Sequence, residues 1–92
     1  MYLMIGVSMK DNKINVDLIV PSISKKFNLF IPVNKTIGEL IFILNNSINE
    51  IVPEFPILNY LSLLDVLENT FYEDNLEIIN TKIRNGSILA LL

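Results

Sequence analysis

The chain contains no cysteine, no histidine, no tryptophan and only 3 glycines. Without cysteine there is no disulfide framework and no thiolate metal site. Without histidine, the usual general base and transition-metal ligand at neutral pH is missing as well. Gly6, Gly38 and Gly86 stand far apart, so no glycine-rich loop of the phosphate-cradling kind exists. Basic charge is also sparse: 7 basic against 10 acidic residues leave a net charge of −3, with Lys10, Lys13, Lys25, Lys26, Lys35, Lys82 and Arg84 scattered along the chain. Nucleic-acid binding works by displacing counterions from phosphates, and this sequence offers no positive field to do so. Long apolar runs are missing too, although 51% of the residues are hydrophobic. The longest uncharged stretches, 40–49 and 55–64, hold 10 residues each, well short of the roughly 18 that a bilayer span needs. Residues 1–9 are apolar but have no basic side chain ahead of them and no small-residue cleavage site behind. No secretory signal is expected, and the reading is a soluble, cytoplasmic protein with no direct membrane insertion.

What is present is strong patterning in a chain of 92 residues, enough for one core and one domain. Ile14, Val16, Leu18 and Val20 alternate with Asn15, Asp17 and Ile19, which is the period of a half-buried strand. After a polar interruption at Pro21, Ser22, Ser24, Lys25 and Lys26, the residues Phe27, Leu29, Ile31 and Val33 alternate again, so the pair reads as a hairpin. Thr36-Ile37-Gly38-Glu39 has the form of a capping box, in which threonine and glutamate satisfy each other's amides. Behind it, Ile37, Leu40, Ile41, Leu44 and Ile48 follow helical spacing on one stripe, with Glu39, Asn45 and Asn46 elsewhere. The helix is predicted to end near Ser47 to Asn49. Pro53 and Pro56 then mark an extended loop, and 60–67 reads as a third strand. A turn at Glu68-Asn69-Thr70, a short strand near Phe71 and Tyr72, and a polar connection anchored by Leu76, Ile79 and Ile83 follow. Asn85-Gly86 supplies a turn with positive φ before a last strand over 88–92.

Strand, strand, helix, strand, short strand, strand is satisfied by an α+β unit, a mixed sheet of four to five strands with one helix packed across one face. This is the ubiquitin-like β-grasp. The stretch 27–44 and the ending Ile83-Arg84-Asn85-Gly86-Ser87-Ile88-Leu89-Ala90-Leu91-Leu92 resemble ubiquitin-fold proteins. With the short length, the ending looks most like the YukD-like (EsaB-like) small proteins encoded in type VII secretion loci of Gram-positive bacteria. The resemblance covers 14–92 as a ubiquitin-like domain and leaves 1–13 as an N-terminal extension or extra strand. It implies a non-enzymatic, cytosolic accessory or regulatory component that acts by protein contacts, with no cofactor. The expected partner is a secretion-machinery protein or a second copy of the chain. Ubiquitin and the sulfur carriers present a Gly-Gly carboxylate, whereas here the sequence reads Leu91-Leu92 at its end. A modifier or sulfur carrier is therefore the second reading, and neither conjugation nor thiocarboxylation is expected.

A third reading, a small carboxylate enzyme, would have to use Glu68, Glu73, Asp74 and Glu77. These sit in a polar turn region where solvation is expected rather than the burial that separates catalytic pKa values. No twelve-residue calcium loop matches, and Lys25-Lys26 is most simply a solvated turn. The sharper signal is apolar residues left over once the core is filled. Strand alternation turns Ile19, Phe30, Ile88, Ala90 and Leu92 away from the helix, onto one expected surface with Lys26, Asn28 and Asp17 as a polar rim. That surface is either a protein-binding site or is covered by 1–9 with Tyr2, Leu3 and Ile5. Phe42 and Ile43 also lie off the helix stripe, within reach of the loop 53–58 as a cover.

Overall fold

A computed structural model describes residues 13–92 of the chain. Strands β1 (Lys13–Val20) and β2 (Lys25–Pro32) form an antiparallel hairpin in which Lys13 faces Pro32 and Val20 faces Lys25. Their connection is a single turn of 3-10 helix, Pro21–Ile23, closed by Ser24 at φ 54°. Helix α1 (Ile37–Ile51) follows, then the short strands β3 (Leu63–Asp65) and β4 (Thr70–Phe71), a 3-10 turn at Ile78–Asn80, and β5 (Ile88–Leu91). The five strands form one mixed sheet in the order β2-β1-β5-β3-β4, with β5 parallel to β1 and antiparallel to β3. One helix across a five-stranded mixed sheet of this order is the ubiquitin-like β-grasp. The expected extension over 1–13 lies, apart from Lys13, outside the described residues, as does a covering role for 1–9.

The helix begins where the box places it. Thr36 Oγ1 accepts from Glu39 N at 3.1 Å and Glu39 Oε1 accepts from Thr36 N at 2.9 Å, so two amides at the open helix end are satisfied reciprocally. Those bonds hold the Glu39 carboxyl below its ordinary pKa, the bond from the Thr36 amide most of all. The stripe Ile37, Leu40, Ile41, Leu44 and Ile48 packs onto Val16, Leu18, Val20, Ile31, Leu63, Leu89 and Leu91 from the sheet.

Four sequence expectations are corrected. The helix runs to Ile51 rather than stopping near Asn49, because nothing before Pro53 obliges it to stop; Val52, just ahead of the proline, leaves helical geometry at φ −126°, ψ 88°. Asn45 does not lie off the buried stripe but is 1% exposed. Its Nδ2 donates to Pro56 O at 2.9 Å and its Oδ1 accepts from Leu58 N at 2.7 Å, so both polar ends of the amide are satisfied under the loop. The third strand occupies three residues of the 60–67 run, extended only by reciprocal backbone bonds between Ser62 and Leu92. In the connection before β5, Ile78 rather than Ile79 is the buried anchor. Lys35 O accepts from Ile78 N and Val33 O from Ile79 N, which docks the turn on the helix entry with Ile78 inward.

Two glycines have geometric reasons. Gly86 sits at φ 89° in the turn before β5, where a side chain would strain the backbone. Gly38 donates to Asp74 O at 2.9 Å, and a Cβ there would meet that oxygen at 3.3 Å.

Candidate interaction surface

The face of the sheet opposite α1 can be read row by row from the register, because strand neighbours point to the same side. One row runs Lys26, Ile19, Ala90, Leu64, Phe71 and crosses all five strands. On β5, Ile88 flanks Ala90 on one side and Leu92, just past the strand, on the other; Val66 N donates to Ile88 O at 2.8 Å and brings Val66 alongside. The row is apolar apart from Lys26. Phe71 is 56% exposed and Leu92 48%, while Ile19, Leu64 and Ile88 are half-buried. Ala90 is 6% exposed, a correction to its expected place outside the core. Its small side chain sits between the longer Ile19 and Leu64 and forms the floor of the patch rather than a protruding contact.

Phe30 is not contiguous with this row. It is 65% exposed, but its register partner is Asn15, and the Asn28–Asp17 pair separates it from Ile19 and Ile88. Those polar residues bond tightly to one another. Asn15 Nδ2 donates to Asn28 Oδ1 at 2.9 Å, Asn28 Nδ2 donates to Asn15 Oδ1 at 3.1 Å and to Asp17 Oδ1 at 2.9 Å, and Lys26 Nζ lies 3.8 Å from Asp17 Oδ2. The expected rim is therefore a fence between Phe30 and the other four residues. The apolar surface extends the opposite way, over β3 and β4. Leu64 and Phe71 were not singled out in the sequence; the signal was there in the alternation of Leu63, Leu64 and Asp65, but its reading needs the pairing of β3 with β5 and β4.

On the helix side, the loop 53–58 does not cover Phe42, which is 67% exposed, or Ile43. Asn45 and Asn49 tether that loop instead, with Asn49 Nδ2 donating to Phe55 O at 2.7 Å, and Phe55 inserts into the core. A shallow groove of about 550 Å³ remains between helix and loop, lined by Gly38, Ile41, Phe42, Ile57 and Leu61 among others.

The acidic cluster offers no converging carboxylates. Glu73, Asp74 and Glu77 are exposed, and Glu68 pairs with Lys82 at 3.8 Å. The acidic residue that matters structurally is Asp65, 1% exposed and absent from the expected set. Its Oδ2 accepts from the Tyr72 hydroxyl at 2.9 Å and its Oδ1 from Glu68 N at 3.4 Å. Among the described residues, no group of three acidic, histidine or cysteine side chains is placed to hold a metal ion, and no helix is long and apolar enough to cross a membrane.

No protein-family model matches the chain, and no curated protein does. Solved structures do. Over 88% of its length the chain superimposes on a subunit of the MycP5-free ESX-5 inner membrane complex with a TM-score of 0.72 at 11% identity, spanning 21% of that subunit. It is similar to the ubiquitin-like domain of the Mycobacterium tuberculosis type VII secretion system protein ECCD1 (TM-score 0.67, 11% identity, 87% of this chain and 97% of that one). It is also similar to the ubiquitin-like domain of an Arabidopsis thaliana protein (TM-score 0.64, 20% identity, 99% of this chain and 87% of that one). The fold is thus ubiquitin-like and shared with domains of type VII secretion proteins.

Proposed function

We propose that the chain is a non-enzymatic protein-interaction module, a cytosolic accessory or regulatory component of a type VII secretion system of the YukD-like (EsaB-like) kind in Gram-positive bacteria. Its ubiquitin-like unit spans 14–92 and is preceded by an extension or extra strand, 1–13. The observation that carries the reading is the apolar row Ile19, Ala90, Leu64 and Phe71, flanked by Ile88 and Leu92, on the sheet face that the helix leaves uncovered. Solvent-facing sheet positions ordinarily alternate to polar residues. Branched aliphatics and an aromatic there supply what an interface core uses, with Lys26 and Asp17 at the margin. The likeness to type VII secretion domains supports a secretion-machinery protein as the partner.

Affinity capture from the native host tests this. The parent should retain a membrane-complex subunit of the secretion locus, and an Ile88→Asp, Phe71→Ser double variant should lose it while unfolding at nearly the same temperature. Retention by that variant together with loss by Phe42→Asp would move the contact to the helix groove and overturn the assignment.

A further inference from the structure

The sheet has a long edge that the outer-face reading does not use. β2 spans eight residues, longer than most strands, and among the described residues it pairs only with β1. The orientation of its backbone groups follows from β1. Asp17 N donates to Ser87 O at 3.0 Å and Asn15 O accepts from Gly86 N at 2.9 Å, so these two residues, with Ile19, turn their peptide groups toward β5. Ile14, Val16, Leu18 and Val20 turn theirs toward β2, where Ile31, Leu29, Phe27 and Lys25 answer them. Lys26, Asn28 and Phe30 consequently aim their N–H and C=O groups away from β1, at an edge that has no partner strand among the described residues. Such edges are templates for another strand unless proline, a bulge or charge blunts them. In β2 the register with β1 is unbroken, the only proline stands at the last position and Lys25 at the first, and within the stretch 26–30 the one charge is Lys26, whose exposed Nζ lies 3.8 Å from Asp17 and stays accessible to a facing ring.

The strand is also complementary to itself about Asn28. Laid antiparallel against a second copy with the two Asn28 residues opposite each other, Lys26 faces the other copy's Phe30, and Phe27 faces its Leu29. On the outer face each ammonium meets an exposed aromatic ring, an attractive pairing, and no lysine opposes a lysine. On the helix side, half-buried Phe27 and Leu29 cover one another. Neighbouring registers that still pair outward-pointing residues are poorer. Sliding one way sets Lys26 against Asn28 and gives up the ammonium–ring pairing; sliding the other sets Lys26 against Pro32, which has no N–H to give.

We propose that the chain self-associates through β2, two copies pairing antiparallel about Asn28 into one continuous sheet with both helices on the same face. The absence of native cysteine makes the test direct. In this register an Asn28→Cys residue faces its counterpart at a Cα separation of about 5.5 Å, within disulfide reach. A Lys26→Cys residue lies about 13 Å along the strand from its own counterpart. Under mild oxidation, Asn28→Cys should form covalent dimer at least ten-fold faster than Lys26→Cys, and mixing Lys26→Cys with Phe30→Cys should restore fast cross-linking. In sedimentation, the mass of the parent should rise with concentration, whereas Phe30→Pro, which removes an outward N–H and leaves the β1 ladder intact, should stay monomeric. Equal cross-linking rates, a parent that is monomeric at every concentration, or a dimer lost in Phe71→Asp but kept in Phe30→Pro would overturn the proposal.

Discussion

The Tyr72 hydroxyl donates to Asp65 Oδ2 at 2.9 Å while accepting from Lys82 N at 3.2 Å, so one phenol ties β3, the segment after β4 and the connection toward β5. Burial first, and the neighbouring Asp65 carboxylate with it, pushes the Tyr72 pKa above its ordinary value. Because the folded-state pKa is the higher one, the neutral phenol contributes stability that is fully present below the unfolded value, about 10, and is lost as pH rises through the folded value. Urea midpoints measured between pH 8 and 11 should fall at the alkaline end for the parent. Tyr72→Phe should start lower and lose less over the same interval; parallel curves would show that this contact does not carry the alkaline loss.

Glu39 has the opposite sign. Its folded pKa is lowered, so its share of stability is present above the unfolded carboxylate value and lost as pH falls through the folded one. Glu39→Gln keeps a reach-back acceptor without the titration. The stability difference between parent and variant should hold steady from pH 7 down to the ordinary glutamate value near 4.3 and shrink as the pH falls below it. A difference that stays constant below that value as well would mean that the charge plays no part in the cap.

Thr36→Ala removes the other half of the box and should cost about 1 kcal/mol by chemical denaturation. Helical content at low denaturant should barely change, since the buried stripe rather than the cap supplies most of the helix's stability.

Leu44 and Asn45 separate two kinds of burial on one helix turn. Leu44→Ala should cost about 2–5 kcal/mol, the transfer of a buried side chain plus the cavity left behind. Asn45→Ala should cost about 1–3 kcal/mol, because Leu58 N loses its acceptor and Pro56 O its donor. It should also raise hydrogen exchange at the Leu58 amide selectively, which Leu44→Ala should not do. If exchange there is unchanged in Asn45→Ala, the amide does not hold the loop.

The helix start was legible because a capping box is written within four residues, and Thr36 and Glu39 need no distant partner to be recognised. The hairpin was legible for the same reason, its alternation being local. Asn45 was not: periodicity places it near the stripe's edge, and only the loop carbonyl and amide that meet it make its burial affordable. Ile78 and Ile79 are adjacent and chemically identical, and which one points inward is decided by backbone bonds to Lys35 and Val33, more than forty residues earlier. The outer face shows the same limit. Ile19 and Ile88 follow from strand alternation, but that Phe30 stands behind an asparagine fence, and that Leu64 and Phe71 complete the row, depends on registers between strands far apart in sequence.

The central claim, that the row on the sheet face opposite the helix is the contact surface, is tested most directly by chemical-shift mapping. The uniformly 15N-labelled chain would be titrated with the cytosolic portions of its host's secretion-complex subunits. The account predicts perturbations concentrated at Ile19, Leu64, Phe71, Ile88 and Leu92. Perturbations centred on Phe42, Ile43 and Ile57, or a spectrum unchanged by every subunit, would contradict it.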